Sequence, residues 1–295
     1  MRVTFRTVHD GVAAVNDASE RFARAQEQVE TGKRIHAPSD DPIAMRKVIE
    51  GRTEIAALDS YTRTGDSAAA RLAAIDTTLG AMVDKLTAAG VAASGARGSA
   101  VTQNTRVAIA STLTGLRDAL VADLNTMFQG TALFSGAESQ TPAYAMVAGA
   151  WTYQGDQTTV SVEVSDGRSV TIGLDGESIA KGADASDLFT EFDALIAAVQ
   201  SGDDAGMGAG MDAIDRAFQR TIRAHSLVGA DQKSVDDEQA RVSDLRIASL
   251  RRVSKSEDVN LAQAITEMSE AQTAFEAALQ AVGSASRVSL LDYLR

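Results

Sequence analysis

The sequence predicts a mainly α protein with a small α+β insert, and three observations carry that prediction. Heptad stripes run along both ends of the chain, a valine-rich alternating segment lies near its middle, and all of the net charge sits in that middle. Starting at Val8, the positions Val8, Val12, Val15, Ser19, Phe22, Gln26 and Val29 follow an unbroken 4-3-4-3-4-3 spacing. Leu261, Ile265, Met268, Gln272, Phe275, Leu279 and Val282 repeat it at the other end, continued by Ser286 and Ser289. Such spacing is that of a coiled-coil seam, in which a polar residue fixes register at some cost in stability. The same stripes also suit two core-facing helices of one bundle.

Between the stripes, Thr31-Gly32 is a helix stop, and Pro38-Ser39-Asp40-Asp41-Pro42 is a helix start with capping side chains and an early proline. Residues 43–95 read as alanine-rich helix interrupted near Thr64-Gly65. Gly95 to Ser99 makes a turn, and residues 101–128 resume as helix. From Trp151 the chain alternates: Val160, Val162 and Val164 share a face, Asp166-Gly167 is a two-residue turn, and Val170 and Ile172 follow. Alternation around Asp-Gly is a hairpin signal. Residues 187–200 read as helix. The glycine-rich stretch Gly202 to Gly210 reads as a hinge, and helix follows from about Met211 to Ser254 with a break near Val228-Gly229. No proline occurs after Pro142, which suits long helices in the final third.

The order helix, insert, helix makes the scaffold discontinuous. The expected domains are a terminal coiled coil (1–35 with 257–295), a helical rod (36–135 with 205–256) and an outer α+β domain (136–204). Charge supports an insert of different character. The chain has 28 basic and 40 acidic residues, a net charge of −12. Residues 130–215 alone hold 2 basic and 14 acidic side chains, while the flanks hold 26 of each. Neutral flanks suit close stacking, and a charged middle suits a solvated exterior.

Composition excludes several functions. The acidic balance argues against general nucleic-acid affinity, and the absence of cysteine excludes disulfides and thiolate metal sites. A hydrophobic fraction of 44% is too high for a disordered acidic chain. No apolar run reaches the roughly 20 residues of a membrane-spanning helix, and Met1 to Gly11 lack the apolar core of a cleaved signal peptide. His9, His36 and His225 lack metal-ligand spacing. Gly206, Gly208 and Gly210 do not match the dinucleotide fingerprint. The acid pairs Asp236-Asp237 and Glu257-Asp258 read as solvated faces or caps, and Met207 and Met211 as core filler. No catalytic constellation, metal site or cofactor site emerges. Lys33-Arg34 is either solvated or a contact for an acidic partner surface.

Several motifs point to one family. Thr31-Gly32-Lys33-Arg34-Ile35 followed by Pro38-Ser39-Asp40-Asp41-Pro42, directly after an N-terminal heptad helix, resembles the signature of the flagellin superfamily. The prolines around Ser39-Asp40-Asp41 favour its hook-filament junction branch. Asn125-Thr126 with Leu133-Phe134-Ser135-Gly136 resembles that branch's exit from its helical domain. Asp258-Val259-Asn260-Leu261-Ala262, Gln272-Thr273 and Ser289-Leu290-Leu291-Asp292-Tyr293-Leu294 resemble its C-terminal helix. His36 stands where the family usually has Asn, and Phe128-Gln129-Gly130 is a looser match.

The resemblance implies a structural protein of the bacterial flagellum, exported unfolded without signal cleavage. Its terminal helices would assemble with copies of itself, a neighbouring hook-associated protein and flagellin, after escort by an export chaperone. The assembly residues it implies are Val8, Val12, Val15, Phe22 and Val29 with Leu261, Ile265, Met268, Phe275, Leu279, Val282, Leu290, Leu291 and Leu294. Two rivals remain at this point. Filament flagellin would self-polymerise without a hook-side template, and a cytoplasmic helical signalling protein would lack the strands of 151–174. Since one helix pair leaves half its apolar surface exposed, the termini are expected to order on assembly.

Overall fold

The computed structural model describes residues 2–98, 100–138 and 140–293, with the side chains of residues 2–8 and 285–293 outside that description. Seven helices and three two-stranded antiparallel sheets are formed among the described residues. They are α1 (Arg2–Thr31), α2 (Pro42–Gly95), α3 (Gln103–Leu124), β1 (Met127–Phe128), β2 (Thr131–Ala132), β3 (Tyr144–Val147), β4 (Ala150–Tyr153), β5 (Ser161–Ser165), β6 (Arg168–Thr171), α4 (Gly176–Ala180), α5 (Leu188–Ser201), α6 (Asp204–Glu257) and α7 (Leu261–Tyr293). The mainly α class with a small strand-bearing insert is therefore correct. Contacts divide the chain into two compact units, Met1–Ala57 with Leu245–Arg295, and Leu58–Asp244. Among the described residues no helix is long and apolar enough to cross a membrane, and no group of three or more His, Asp or Glu could hold a metal ion.

The second unit has one continuous apolar core. Leu72, Ile75, Leu79, Met82 and Leu86 of α2 pack with Leu113, Leu120 and Leu124 of α3, Phe189, Phe192 and Leu195 of α5, and Met207, Ile214 and Val228 of α6. Each fully buried side chain of this size contributes about 1.5–3 kcal/mol, which is why these long helices hold. Met207 thus is core filler, as its spacing suggested.

The two expected helix breaks do not occur. Helix α2 passes through Thr64-Gly65 and α6 through Val228-Gly229 without interruption. Val228 is buried in the core, and packing there outweighs the roughly 1 kcal/mol that glycine costs a helix interior. The Gly202–Gly210 stretch is likewise not a hinge. Gly202 (φ 73°) ends α5 in the left-handed conformation, and α6 starts at Asp204. A Cβ on Gly206 would lie 2.8 Å from Ala198 Cβ, and one on Gly210 would lie 2.7 Å from Leu195 Cβ. These glycines let α6 approach α5 closely.

Helix α3 also ends earlier than the expected 128. Asn125 caps it, and the Asn125 side chain bonds both Tyr144 backbone groups, donating to O and accepting from N at 2.8 Å each. Met127–Phe128 then pair with Thr131–Ala132 across Gln129 and Gly130, both at positive φ. The expected hairpin at Asp166-Gly167 is present as β5–β6, with Val162 opposite Val170. The β3–β4 hairpin was not anticipated.

Arg71 ties α2 to these strands. Its guanidinium donates to Ile172 O (2.8 Å), Thr131 Oγ1 (2.9 Å) and Ala132 O (3.0 Å), and burial pushes its pKa down. Tyr153 Oη donates to Phe134 O or Asp156 O, at 3.1 and 2.9 Å, and burial holds its phenol well above its usual pKa.

Candidate assembly interface

Helices α1 and α7 run antiparallel. Phe22 stacks on Phe275 with ring centroids 6.3 Å apart, and Gly11 lies against Val282. The residues turned inward on α1 are Gly11, Val15, Ala18, Phe22, Ala25 and Val29, and on α7 Ala264, Met268, Ala271, Phe275, Ala278 and Val282. Both sets keep the 4-3 spacing, but small residues alternate with large ones. A Cβ at Gly11 would already sit 3.0 Å from Val282 Cγ2. Small residues at alternate positions let the two backbones come close, and the large ones interlock between them.

The seam read from the sequence is therefore split. Val15, Phe22, Val29, Met268, Phe275 and Val282 lie in the helix pair, half-buried. Val12 (47% exposed), Leu261 (51%), Ile265 (52%) and Leu279 (47%) lie outside it. Ser19, Gln26 and Gln272 are exposed too, and each glutamine donates to the glutamate four residues on, Glu30 or Glu276. The side chains of Val8, Leu290, Leu291 and Leu294 lie outside the described residues.

At one end of the pair, the motif loop forms a joint. Thr31 Oγ1 donates to Glu27 O (2.7 Å) and lies 2.6 Å from His36 Nε2, while Gly32 turns the chain at φ 69°. Lys33 then bridges Asp258 in antiparallel fashion: Arg34 N donates to Glu257 O (2.7 Å), and Val259 N donates to Gly32 O (3.0 Å). Ile35 is buried, and Pro38, Ser39 and Pro42 are exposed. Asp40 Oδ2 accepts from His36 N and Ala37 N, and Asp41 Oδ1 accepts from Ala44 N at the start of α2. Those backbone donors hold both carboxyls below the usual aspartate range. Only Asp41 caps the helix; Asp40 closes the loop.

Glu257 is the residue that sequence reasoning misplaced. It is buried, not on a solvated face, and its carboxylate takes Lys33 Nζ at 2.7 Å and Arg52 at 2.6 Å. Burial alone would raise its pKa; the hydrogen bonds from Lys33 and Arg52 outweigh it and leave the pKa lowered. Arg34 donates to Ser256 O (3.1 Å) and pairs with Asp41 at 3.5 Å. The basic pair Lys33-Arg34 is thus engaged within its own chain. The arrangement offers an apolar stripe beside a braced joint.

A paired set of terminal helices braced at this motif loop defines a class, and the chain belongs to the bacterial flagellin family. The family's N-terminal helical region matches residues 12–139 and its C-terminal helical region residues 211–294. Within that family the chain stands with the hook-associated protein 3 branch. It is 24% identical to flagellar hook-associated protein 3 of Escherichia coli over 303 residues, covering 94% of each chain. It is 25% identical to that of Salmonella typhimurium over 215 residues, covering 68% of this chain and 67% of the other. The fold is also that of the flagellar junction protein FlgL from Legionella pneumophila (TM-score 0.61, 12% identity, 72% of this chain and 100% of that one). FlgL from Xanthomonas campestris shares it (TM-score 0.60, 18% identity, 70% and 99%).

Proposed function

We propose that this chain is a structural adaptor of the bacterial flagellum, joining the hook to the flagellin filament by helical self-assembly through its terminal helices. The observation that carries this reading is the unused half of the heptad stripe. Leu261, Ile265 and Leu279 remain exposed after α1 and α7 have paired, and Val12 with them. Apolar residues kept in a regular row on a helix that already has a partner suit a second partner.

The assembly residues of this reading are these four together with Val8, Leu290, Leu291 and Leu294 towards the two ends of the chain. The motif loop Thr31 to Ile35 and Pro38 to Pro42 holds the pair in register. The three-part division into terminal coiled coil, helical rod and outer domain serves this reading, with the outer domain carrying the acidic charge. The partners are copies of the chain, a neighbouring hook-associated protein, flagellin and an export chaperone. Export proceeds from the cytoplasm without signal cleavage, and the work is done by surfaces, without catalysis.

Deleting the gene tests the reading. The expected result is cells with hooks that release flagellin unattached; complete filaments on the deletion strain would overturn it.

A further inference from the structure

Residues 130–215 carry 2 basic and 14 acidic side chains, yet residues 141–155 contain none of either sign. That neutral stretch folds as β3, a two-residue turn and β4. Met146 faces Trp151 across the hairpin, and Val147 faces Ala150 on the other side. The root is held: Asn125 grips Tyr144, Tyr144 packs edge-on to Phe189 (4.9 Å), and Trp151 and Tyr153 rest on the core. The tip is not held. Met146 is 54% exposed and Val147 48%, and Ala148 and Gly149 turn the chain at positive φ.

The second hairpin differs on each point. Strands β5 and β6 carry Glu163 and Arg168 with Asp166 in the turn, Arg168 pairs with Glu238 of α6 at 3.3 Å, and Arg241 donates to Ser165. It is charged, and it is spent within its own chain. The usual protection of an exposed hairpin is charge or proline; β3 and β4 have neither, in a segment otherwise rich in carboxylates.

Copies standing side by side present like charges to each other, and like-charge contacts are penalised. A neutral apolar tip is the part of this segment that can touch an identical neighbour without setting carboxylate against carboxylate. We infer that the β3–β4 hairpin is the contact by which the acidic segment meets a neighbouring copy of the same chain, an inference that rests on the self-assembly proposed above. In a ring of like-oriented copies the tip meets a different face of the neighbour, so the contact is heterologous.

The experiment is photo-crosslinking on intact flagella from cells expressing the full chain. p-Benzoylphenylalanine replaces Val147, or Asp166 at the charged hairpin, or Ile265 on α7, each in a separate strain. The expected result is a product of twice the 30.8 kDa chain mass from the probes at 147 and 265, and at least several-fold less from 166. Crosslinking at 265 with none at 147, or at 147 only to a different protein, overturns the hairpin contact and leaves self-assembly standing. Equal yields from 147 and 166 overturn the charge argument. No product of two copies from either 147 or 265 overturns both readings. A Met146 probe in a Val147→Asp background should lose the product, and retention of full yield would also count against the inference.

Discussion

Replacing Leu261, Ile265 and Leu279 together by glutamine separates assembly from folding. Each is about half exposed beside the α1–α7 pair. Covering a large apolar side chain completely is worth about 1.5–3 kcal/mol, so covering the exposed half is worth about 1 kcal/mol. Three residues then supply roughly 3 kcal/mol per subunit contact, or about 100-fold in association at 1.4 kcal/mol per tenfold. Glutamine is nearly as good a helix former as leucine, and the inward row of Ala264, Met268, Ala271, Phe275, Ala278 and Val282 is untouched. The assay has two arms. Immunoblotting of purified hooks counts the copies retained, and circular dichroism of the purified chain follows its melting. The expected outcome is retention on hooks down by an order of magnitude or more with a melting temperature lowered by only a few degrees. Wild-type retention would refute the assignment of the outer stripe. A large fall in melting temperature would show that these residues serve the fold of the single chain.

Four further expectations follow from the same geometry. Glu257→Gln should cost about 1–2 kcal/mol, discounted from the value for a fully buried pair because Lys33 and Arg52 are half exposed. The folded pKa is lowered from 4.5, so this stabilisation is present above about pH 4.5 and is lost as pH falls through the folded value; urea melts of wild type and variant should converge in acid. Arg71→Met leaves three acceptors without their donor and should cost about 1–3 kcal/mol in urea unfolding, with Arg71→Lys restoring little because an ammonium cannot span all three. Gly210→Ala should destabilise by about 1–3 kcal/mol against Leu195, whereas Gly208→Ala, with nothing within 4 Å of the new Cβ, should stabilise by up to about 1 kcal/mol; thermal melts of the pair check both signs. Hydrogen exchange on the isolated chain should be fast in α1 and α7 and slow in α2 between Leu72 and Leu86, and strong protection of both terminal helices would contradict their ordering on assembly.

What the sequence made legible was periodicity, and what it concealed was phase and partners. The terminal 4-3 spacing was visible in Val15, Phe22 and Val29, which belong to both possible stripes. Gly11, Ala18 and Ala25 complete the inward one, yet a search for apolar bulk passes over them in favour of Val12. Small size, not hydrophobicity, decides which flank faces α7. The Asp166-Gly167 hairpin was readable because its turn residues suit positive φ, whereas Ala148-Gly149 puts an alanine at φ 51° and gave no such signal. Gly65 and Gly229 read as breaks because local propensity was weighed without the core that overrides it. Glu257 read as solvated because its partners stand about 200 residues upstream, at Lys33 and Arg52. The family motif loop was legible as a pattern, but its role as a brace appears only when residues 257–259 lie beside it.

That brace has a mechanical consequence. The chain leaves the terminal pair twice, at residues 32–34 and 257–259, and the two crossings are bonded to each other by two backbone hydrogen bonds and a shared carboxylate. Tension or torque reaching either helix is therefore divided between two strands side by side. To part, the bonds must yield together in shear instead of peeling one at a time. A chain braced at such a point resists letting one terminal helix slide past the other.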